Sequence, residues 1–422
     1  MADTEPTAIP PQGILPGAKR PVPGRRELVV MIAGLMALNA FGIDIMLPAL
    51  NQIAHAVGLT APGMESDNRQ QMIIFSYVLG FGAPQIIWGP ISDRFGRRGP
   101  LFVALVGYII TALACIVMRD FHALLAMRFA QGVFASGGRL VAVSIVRDLF
   151  AGRQMARFMS LVMTIFMVVP ILAPGIGQIV LFIAPWEAIF FVLAVFGAIM
   201  LVWTWMRLPE TLPESARQPL NMGAALAAYG EIVKSRVTFG YMCASGVIFG
   251  ALFSFIASSE QIFREVFGQT ETFAFWFAGI AGTLACANFL NSRIVEKVGM
   301  RRISQVALFI FTIGAALLSL LTFVFGDHLY IFFPVFALCF GCFGLMGSNF
   351  SALAMEPLGK IAGTASAAYG FATTTVASLI GMAISSQYNG STIPITIGFI
   401  CLGLASLVII LITERGRLFS SR

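Results

Sequence analysis

The sequence contains few charged residues. Only 11% of its 422 residues are Asp, Glu, Lys or Arg, whereas 58% are hydrophobic. A soluble domain carries roughly 25% charged residues, so this chain cannot cover a surface that faces water. Its long uncharged stretches, such as 70–90 and 158–183, must be membrane-spanning helices, because backbone polar groups in lipid pair within their own segment. The composition therefore predicts an all-α membrane protein.

Histidine and the motifs of common enzymes are also scarce. The three histidines, His55, His122 and His328, lie at the predicted outer edges of the membrane. No Ser/His/Asp, HExxH or P-loop pattern occurs, so we expect neither an enzyme nor ATP-driven transport on this chain, and no cofactor. The six cysteines all fall within apolar stretches as small hydrophobes, so we expect no disulfide and no bound metal.

The net charge of +7 comes from basic residues that lie mainly in the tails and loops. Most of the 27 Lys and Arg residues occur in the tails and in alternate loops, and the loops between them hold only Arg69, Arg119 and Arg264. Basic loops of membrane proteins face the cytoplasm, so both termini are predicted to be cytoplasmic. This pattern accounts for the charge without nucleic acid as a partner.

Apolar windows predict twelve spans and a division into two halves. Their limits are 29–50, 71–91, 100–118, 122–146, 158–183, 186–206, 237–259, 272–292, 303–325, 329–354, 362–386 and 391–412. A polar cytoplasmic loop, 207–236, separates an N-terminal six-helix bundle, 29–206, from a C-terminal one, 237–412. The proline-rich segment 1–28 has no apolar core after a basic start, so we expect a disordered cytoplasmic tail and not a signal peptide. A second cytoplasmic tail, 413–422, ends the chain.

The two halves echo each other in sequence. Asp93–Arg98 (DRFGRR) follows the second span, and Glu296–Arg302 (EKVGMRR) follows the eighth. Each runs acid, base, apolar residue, glycine and then arginine, about one half-length apart. Repeated halves related by an axis along the membrane normal are a transporter design, so the echo favours a transporter over a receptor or a channel.

Four segments resemble the motifs of one transporter family. They are Gly42–Ala54 (GIDIMLPALNQIA), Gly89–Pro100 (GPISDRFGRRGP), Arg128–Gly132 (RFAQG) and Ala173–Gly177 (APGIG). Together they resemble the major facilitator superfamily, specifically its drug:proton antiporters of the bicyclomycin/chloramphenicol-resistance type. Ala173 stands where the exporter motif of that family usually has glycine.

The resemblance implies a fold and a function. We expect twelve transmembrane helices in two pseudo-symmetric six-helix bundles, acting as a monomer in the inner membrane. The implied function is export of small amphiphilic compounds by alternating access, with protons as the coupling ion. An importer of the same fold, driven by symport, remains the alternative, and a membrane enzyme or receptor without transport activity is a third.

Two ionisable residues are predicted to couple transport to protons. A carboxylate within the bilayer is costly and marks a functional site, and Asp44 lies in the outer half of the first span. Arg128 lies at a similar depth in the fourth span, which runs the opposite way, so the two are expected to pair. The alternatives are an interfacial acid for Asp44 and a structural arginine bonded to backbone carbonyls for Arg128.

A second arginine in the fourth span, Arg139, lies eleven residues beyond Arg128 on nearly the same helix face. It either attracts anionic groups of a substrate or snorkels towards the cytoplasm.

Charged residues at the cytoplasmic face predict a gate. Asp93, Arg97 and Asp148 are expected to latch the halves and to separate when the halves rock. Simple topology-setting surface charge is the alternative. The motif adds four residues to this gate: Gly89, Arg94, Gly96 and Arg98.

The fifth span carries the exporter motif with Pro174, Gly175 and Gly177. Proline removes a helix hydrogen bond and glycine permits close approach, so a break is predicted there. Substrate candidates of suitable depth on cavity-facing spans share aromatic, sulfur or amide side chains; with Arg139 they are Phe41, Tyr77, Phe134, Met163, Phe166, Met167, Phe249, Phe253, Trp276, Asn288, Asn349 and Tyr369.

Overall fold

The computed structural model describes residues 21–59, 68–150, 152–217 and 222–419. Most of the predicted N-terminal tail therefore lies outside the described residues. Within these ranges, eleven helices are long and apolar enough to cross a membrane, and a helix pair bent by 42° supplies the twelfth span. The predicted all-α architecture with twelve spans is confirmed.

The N-terminal bundle contains the first six spans, TM1 to TM6. TM1 comprises Arg25–Asp44 and Leu50–Ala56, TM2 comprises Met72–Gly82 and Gln85–Phe95, TM3 is Arg98–Val117, TM4 is Phe121–Leu149, TM5 comprises Gly152–Phe166 and Val168–Ile183, and TM6 is Glu187–Arg207.

The C-terminal bundle contains TM7 to TM12. TM7 is Arg236–Gln261, TM8 is Phe273–Val298, TM9 is Met300–Phe325, TM10 is Leu329–Met355, TM11 comprises Ala362–Phe371 and Ala377–Ser385, and TM12 is Ile393–Thr413. π-Helical turns extend TM7 through Ile262–Val266 and join the two parts of TM11. Since the number of spans is even, TM1 begins and TM12 ends on the same side, here named the termini face.

Prolines account for the breaks in three spans. Pro48, Pro84 and Pro170 each lack the N–H that would bond to the carbonyl four residues earlier. The helix of TM1 accordingly ends at Asp44, TM2 bends after Gly82, and TM5 turns at Met167. The break predicted at Pro174 is wrong, because Pro174 lies inside the continuous helix Val168–Ile183.

Glycine allows TM2 and TM4 to pack backbone against backbone. A β-carbon on Gly132 would overlap the carbonyl oxygen of Tyr77, and one on Gly80 would overlap that of Phe129. Such contacts between small residues bring membrane helices together. They fix the height of TM4, and so of its two arginines, relative to TM2.

Contacts between the bundles are made mainly by TM2 with TM11 and by TM5 with TM8. At the first interface, a β-carbon on Gly82 would lie only 2.6 Å from the Thr375 hydroxyl. At the second, one on Gly175 would lie 4.0 Å from the Ala274 methyl group. The two bundles therefore meet closely near the middle of TM2.

The connection between the bundles is partly helical, so the prediction of a loop over 207–236 is wrong in part. A helix, Met222–Lys234, occupies its second half, where the residues are mainly strong helix formers such as Ala, Leu, Glu and Lys. Ile232 of this helix is buried against Ala365 and Ala368 of TM11. The connecting helix therefore packs with the C-terminal bundle.

Candidate functional site

Asp44 occupies the break in TM1. It is the last residue of the helix Arg25–Asp44, its surface is only 5% exposed, and the chain turns at Ile45 before continuing. The C-terminal end of a helix presents unpaired carbonyl groups that carry partial negative charge. A charged carboxylate there is costly, so the position suits a group that takes up and releases a proton.

Arg128 is fully buried and is held by backbone carbonyls. Its guanidinium donates hydrogen bonds to the carbonyl oxygens of Gly42 (2.9 Å) and Ile73 (3.4 Å) and to the side-chain oxygen of Gln131 (2.7 Å). Among the described residues it forms no salt bridge with Asp44. The expected pair is therefore absent, because Arg128 reaches TM1 two residues before the carboxylate and finds a carbonyl there.

The ring of Tyr77, in TM2, packs against the guanidinium of Arg128. The Arg128 guanidinium sits 4.3 Å from the centroid of the Tyr77 ring. The Tyr77 hydroxyl faces Gly42, where a β-carbon would lie 2.7 Å from it. Tyr77 is fully buried, so this substrate candidate belongs to the packing around Arg128 and does not line a cavity between the halves.

Gly177 of TM5 packs against the break in TM1. A β-carbon at this position would overlap the carbonyl oxygen of Ile45 and would lie 3.1 Å from the Pro48 ring. Pro174 is also buried in the same helix. The segment that resembles an exporter motif thus covers the chain directly after Asp44, while Gly175 faces TM8.

Arg97 is the centre of a charge cluster on the termini face. Its guanidinium bonds both oxygens of Asp148, at 2.7 and 3.0 Å, and Asp93 at 2.7 Å. Burial opposes the charged form, but the hydrogen bonds that Arg97 donates to Asp148 and Asp93, together with the negative charges of these carboxylates, outweigh it and raise the pKa of Arg97. A bidentate arginine–carboxylate pair of this kind is geometrically specific.

The charge cluster lies within one bundle. Asp93, Arg97 and Asp148 belong to TM2, the TM2–TM3 turn and TM4, so their ion pairs do not join the two halves as the predicted latch would. Gly96 turns the chain with φ of +83°, which favours glycine. These ion pairs therefore fix TM2 to TM4, and any movement of the halves carries them along together.

Glu210, in the segment after TM6, completes the cluster. Its carboxylate accepts hydrogen bonds from the backbone N–H groups of Arg97 (2.8 Å) and Arg98 (3.2 Å) at the start of TM3. A carboxylate is stabilising at a helix N-terminus. Thr211 adds a hydrogen bond to Asp148 at 3.0 Å. Glu210 was not predicted from the sequence, since nothing in its neighbourhood indicates a contact over a hundred residues away.

The remaining motif residues have separate surroundings. Arg94 is exposed and lies over the Phe95 ring. Arg98 donates to the Trp205 carbonyl at 3.0 Å. Gly89 faces a cavity between the halves, which opens beside the charge cluster.

This cavity, here named the termini-side cavity, has a volume of about 520 Å³. TM2 and TM4 line one side of it, and TM10, TM11 and the connecting helix line the other. Two of the thirteen substrate candidates, Arg139 and Tyr369, lie on its wall. The Tyr369 hydroxyl forms a hydrogen bond of 2.8 Å with Ser245 of TM7.

Comparison with known proteins places this architecture in a family. Residues 32–382 match the model of the Major Facilitator Superfamily. The chain belongs to the Major Facilitator Superfamily. It is 30% identical to a Bacillus subtilis protein described as the uncharacterized MFS-type transporter YdgK, over 84% of this chain and 88% of that one. It is 29% identical to a bicyclomycin resistance protein homolog of Haemophilus influenzae, covering 92% and 96% of the two chains.

Solved structures support the fold. A D-xylose-proton symporter superposes with a TM-score of 0.72 over 91% of this chain and 96% of that chain, at 14% identity. The predicted resemblance to the superfamily is confirmed, and this chain is a multi-pass membrane transporter of that fold.

In this superfamily member, most substrate candidates pack inside a bundle. Three of them pack against another aromatic ring: Phe41 on Phe196, Phe249 on Phe343 and Trp276 on Phe333. Two others pack against a glycine: Phe134 on Gly107 and Phe253 on Gly381. Asn349 donates to Asn291 at 2.8 Å, and the backbone of Asn288 packs beside Gly344. Met163 and Phe166 are partly buried against the core, and Met167 is half-buried at the turn in TM5. These residues were predicted from their depth along each helix, and depth does not indicate which face of the helix turns to the cavity.

Amide side chains join the halves on the face opposite the termini. Gln71, directly before TM2, donates to Gln261 (3.0 Å) and Ser258 (3.3 Å) of TM7. Gln261 donates in turn to Asn68 at 3.2 Å, and Asn68 donates to the Tyr388 carbonyl at 2.7 Å. A second cavity, of about 1020 Å³, opens beside them. These contacts cross between bundles, which the charge cluster does not.

Glu260 is a second buried carboxylate that the sequence analysis missed. It lies 2.8 Å from Arg264 and is 5% exposed. The predicted seventh span ends at residue 259, whereas the helix runs to Gln261 and continues as a π-helical turn. Glu260 differs from Asp44 because it has a cation beside it.

Proposed function

We propose that this chain is a proton-coupled antiporter that exports small amphiphilic compounds across the inner membrane by alternating access. In this proposal both termini are cytoplasmic, the termini-side cavity receives the substrate, and protons are the coupling ion. Asp44 carries the proton.

The observation that carries the proposal is the position of Asp44. It is a buried carboxylate at a helix break, with no ion pair among the described residues. Gly177 of TM5 packs directly against the carbonyl of the next residue, Ile45. Gaining or losing a charge at such a place changes the energy of the local packing. The protonation state of Asp44 can therefore bias how TM1 packs on TM5, and TM5 contacts the other bundle through TM8.

The direction of transport is supported by resemblance. The Ala173–Gly177 segment is similar to an exporter motif, and the Haemophilus influenzae relative is described as a bicyclomycin resistance protein homolog. The xylose-proton symporter shares only the fold, so it carries no argument for import.

A resistance and accumulation assay tests the proposal. The chain is expressed in a bacterial strain that lacks its main efflux pumps, and a panel of antibiotics and dyes is applied with and without a protonophore. We expect resistance to some compounds and lower cellular accumulation, both abolished by the protonophore. Higher accumulation on expression would identify an importer instead, and resistance that survives the protonophore would contradict proton coupling.

A further inference from the structure

Arg139 is a cation near the middle of the membrane. It lies ten residues before TM4 ends at Leu149, about 15 Å along a helix. Its guanidinium is 5.6 Å from the centroid of Phe81, and no carboxylate of the described residues forms a salt bridge with it. An arginine keeps its charge in a protein, and an intramembrane charge usually faces a cavity and marks a substrate path.

The direction of the Arg139 side chain distinguishes between its two predicted roles, which are attraction of anionic substrate groups and snorkelling towards the cytoplasm. A snorkelling arginine would extend towards the termini face and water. Instead the guanidinium contacts Phe81, next to the close contact between Gly82 and TM11. Arg139 therefore lies at the inner end of the termini-side cavity, where the two bundles meet.

The other charges on this cavity do not neutralise Arg139. Asp93 is the only carboxylate among its described lining residues, and its Oδ1 atom is already 2.7 Å from Arg97 and 4.0 Å from Arg147. Arg147 is a further cation at the cavity rim. Among the described lining residues, Arg139 is therefore the unneutralised charge deep in the cavity, where the low dielectric strengthens its attraction for an anion.

Neutral polar groups line the same cavity as Arg139. Ser136, one turn earlier on TM4, has a buried hydroxyl with no hydrogen-bond partner among the described residues, and it lines the cavity. Gln85 of TM2 and the Tyr369 and Thr373 side chains of TM11 complete this part of the wall. The Thr373 and Tyr369 hydroxyls already bond to the Tyr369 carbonyl and to Ser245. The Ser136 hydroxyl is therefore the available donor beside an unneutralised guanidinium, whose planar fork matches a carboxylate.

We infer that the termini-side cavity binds amphiphilic organic anions, with an oxyanion group on Arg139 and the apolar part against Phe81 and Tyr369. This inference rests on the proposed function for its transport direction and names the class of substrate. Because Ser136 and Arg139 lie on one bundle and Tyr369 on the other, a bound anion would contact both halves.

Binding of three matched probes to the purified protein in detergent tests the inference. The probes are 1-naphthylacetate, its neutral amide 1-naphthylacetamide, and the cation 2-(1-naphthyl)ethylamine, and calorimetry measures each affinity. A hydrogen-bonded charge pair predicts that the carboxylate binds about tenfold or more tighter than the amide. Arg139→Gln should remove that preference while leaving the amide affinity unchanged, and Arg139→Lys should retain part of it.

Arg147→Gln is the matched control, since Arg147 is 47% exposed at the rim and its charge is screened by solvent. It should change the carboxylate affinity less than about twofold. The inference is overturned if the wild-type protein binds the amide or the amine as tightly as the carboxylate. It is also overturned if no probe binds at millimolar concentration, or if Arg139→Gln keeps the preference.

A transport assay keeps this inference separate from the proposed function. Inside-out vesicles are energised with a proton gradient, and uptake of the carboxylate and of the amide is measured. Binding of the carboxylate without gradient-driven uptake would contradict the proposed antiport and leave the anion site standing. Gradient-driven uptake of neutral compounds alone would support antiport and overturn the anion site.

Discussion

Arg128 donates a hydrogen bond to the carbonyl oxygen of Gly42 at 2.9 Å and makes no salt bridge to Asp44, two residues further along TM1. The arginine therefore holds the end of the TM1 helix in place, and within the described part of the chain the Asp44 carboxylate forms no ion pair. The geometry therefore favours a role for Arg128 in positioning the end of TM1 over a role in neutralising the charge of Asp44.

Substitution of Arg128 should accordingly reduce stability more than it shifts the pH dependence of transport. Arg128→Ala removes the donor to the buried Gly42 carbonyl oxygen, whereas the Ile73 carbonyl keeps a hydrogen bond from Ser76; a lost partner of this kind costs about 1–3 kcal/mol. Thermal unfolding in detergent should show a clearly lower midpoint, and the pH optimum of efflux should move little. A large shift of that optimum at normal stability would indicate a direct pair with Asp44.

Asp44→Asn should give a folded, inserted protein that no longer couples transport to protons. The amide keeps the size of the side chain and cannot ionise, so the proton-dependent step is lost. In proteoliposomes, substrate exchange should persist while uphill transport driven by a proton gradient disappears. Glu260→Gln is the matched control because Glu260 is also buried but is paired with Arg264; loss of coupling there, and not in Asp44→Asn, would assign the proton to TM7.

Two glycines of TM5 form a matched pair for testing the exporter motif. In Gly177→Ala the new methyl group overlaps the Ile45 carbonyl, and overpacking of this kind costs about 1–3 kcal/mol. In Gly175→Ala the nearest atom is 4.0 Å away, on Ala274. We therefore expect a strong loss of efflux at normal expression for Gly177→Ala and nearly normal efflux for Gly175→Ala. Equal effects would mean that contact with the TM1 break is unimportant.

Arg97→Ala should weaken transport through the packing of TM2 on TM4. It removes both hydrogen bonds to Asp148 and leaves that carboxylate, with side-chain exposure of 12%, without its partner; breaking a buried pair in this way costs about 3–5 kcal/mol. Equilibrium binding of the neutral probe 1-naphthylacetamide in detergent should stay within about twofold, because Arg97 lies outside the cavity wall. Arg94→Ala, at an exposed position nearby, should change neither property.

The sequence predicted the spans and the charge cluster because both depend on local patterns. Apolar length defines each span, and Asp93 and Arg97 are four residues apart on one turn. The pairing of Asp44 with Arg128 could not be predicted in the same way. Depth along a helix follows from residue counts, but the rotation of each helix depends on packing, here on Gly132 against the Tyr77 carbonyl.

The same limit explains the substrate candidates and the missed acids. Arg139 and Tyr369 lie on the cavity wall, whereas Phe41 and Trp276 at suitable depth turn into their own bundles. Glu260 was excluded because the predicted seventh span ends at residue 259, whereas the helix continues through Gln261 and a π-helical turn. Glu210 has no local signal, since its partners lie at the start of TM3.

The hydrogen bonds of Glu210 also set the length of free chain between the two bundles. Glu210 and Thr211 attach the chain to the N-terminal bundle, and the helix Met222–Lys234 attaches it to the C-terminal bundle. Only the ten residues 212–221 connect these two anchors, which is at most about 35 Å when fully extended. The chain therefore forms a short tether that limits the distance by which the termini-side ends of the two bundles could separate.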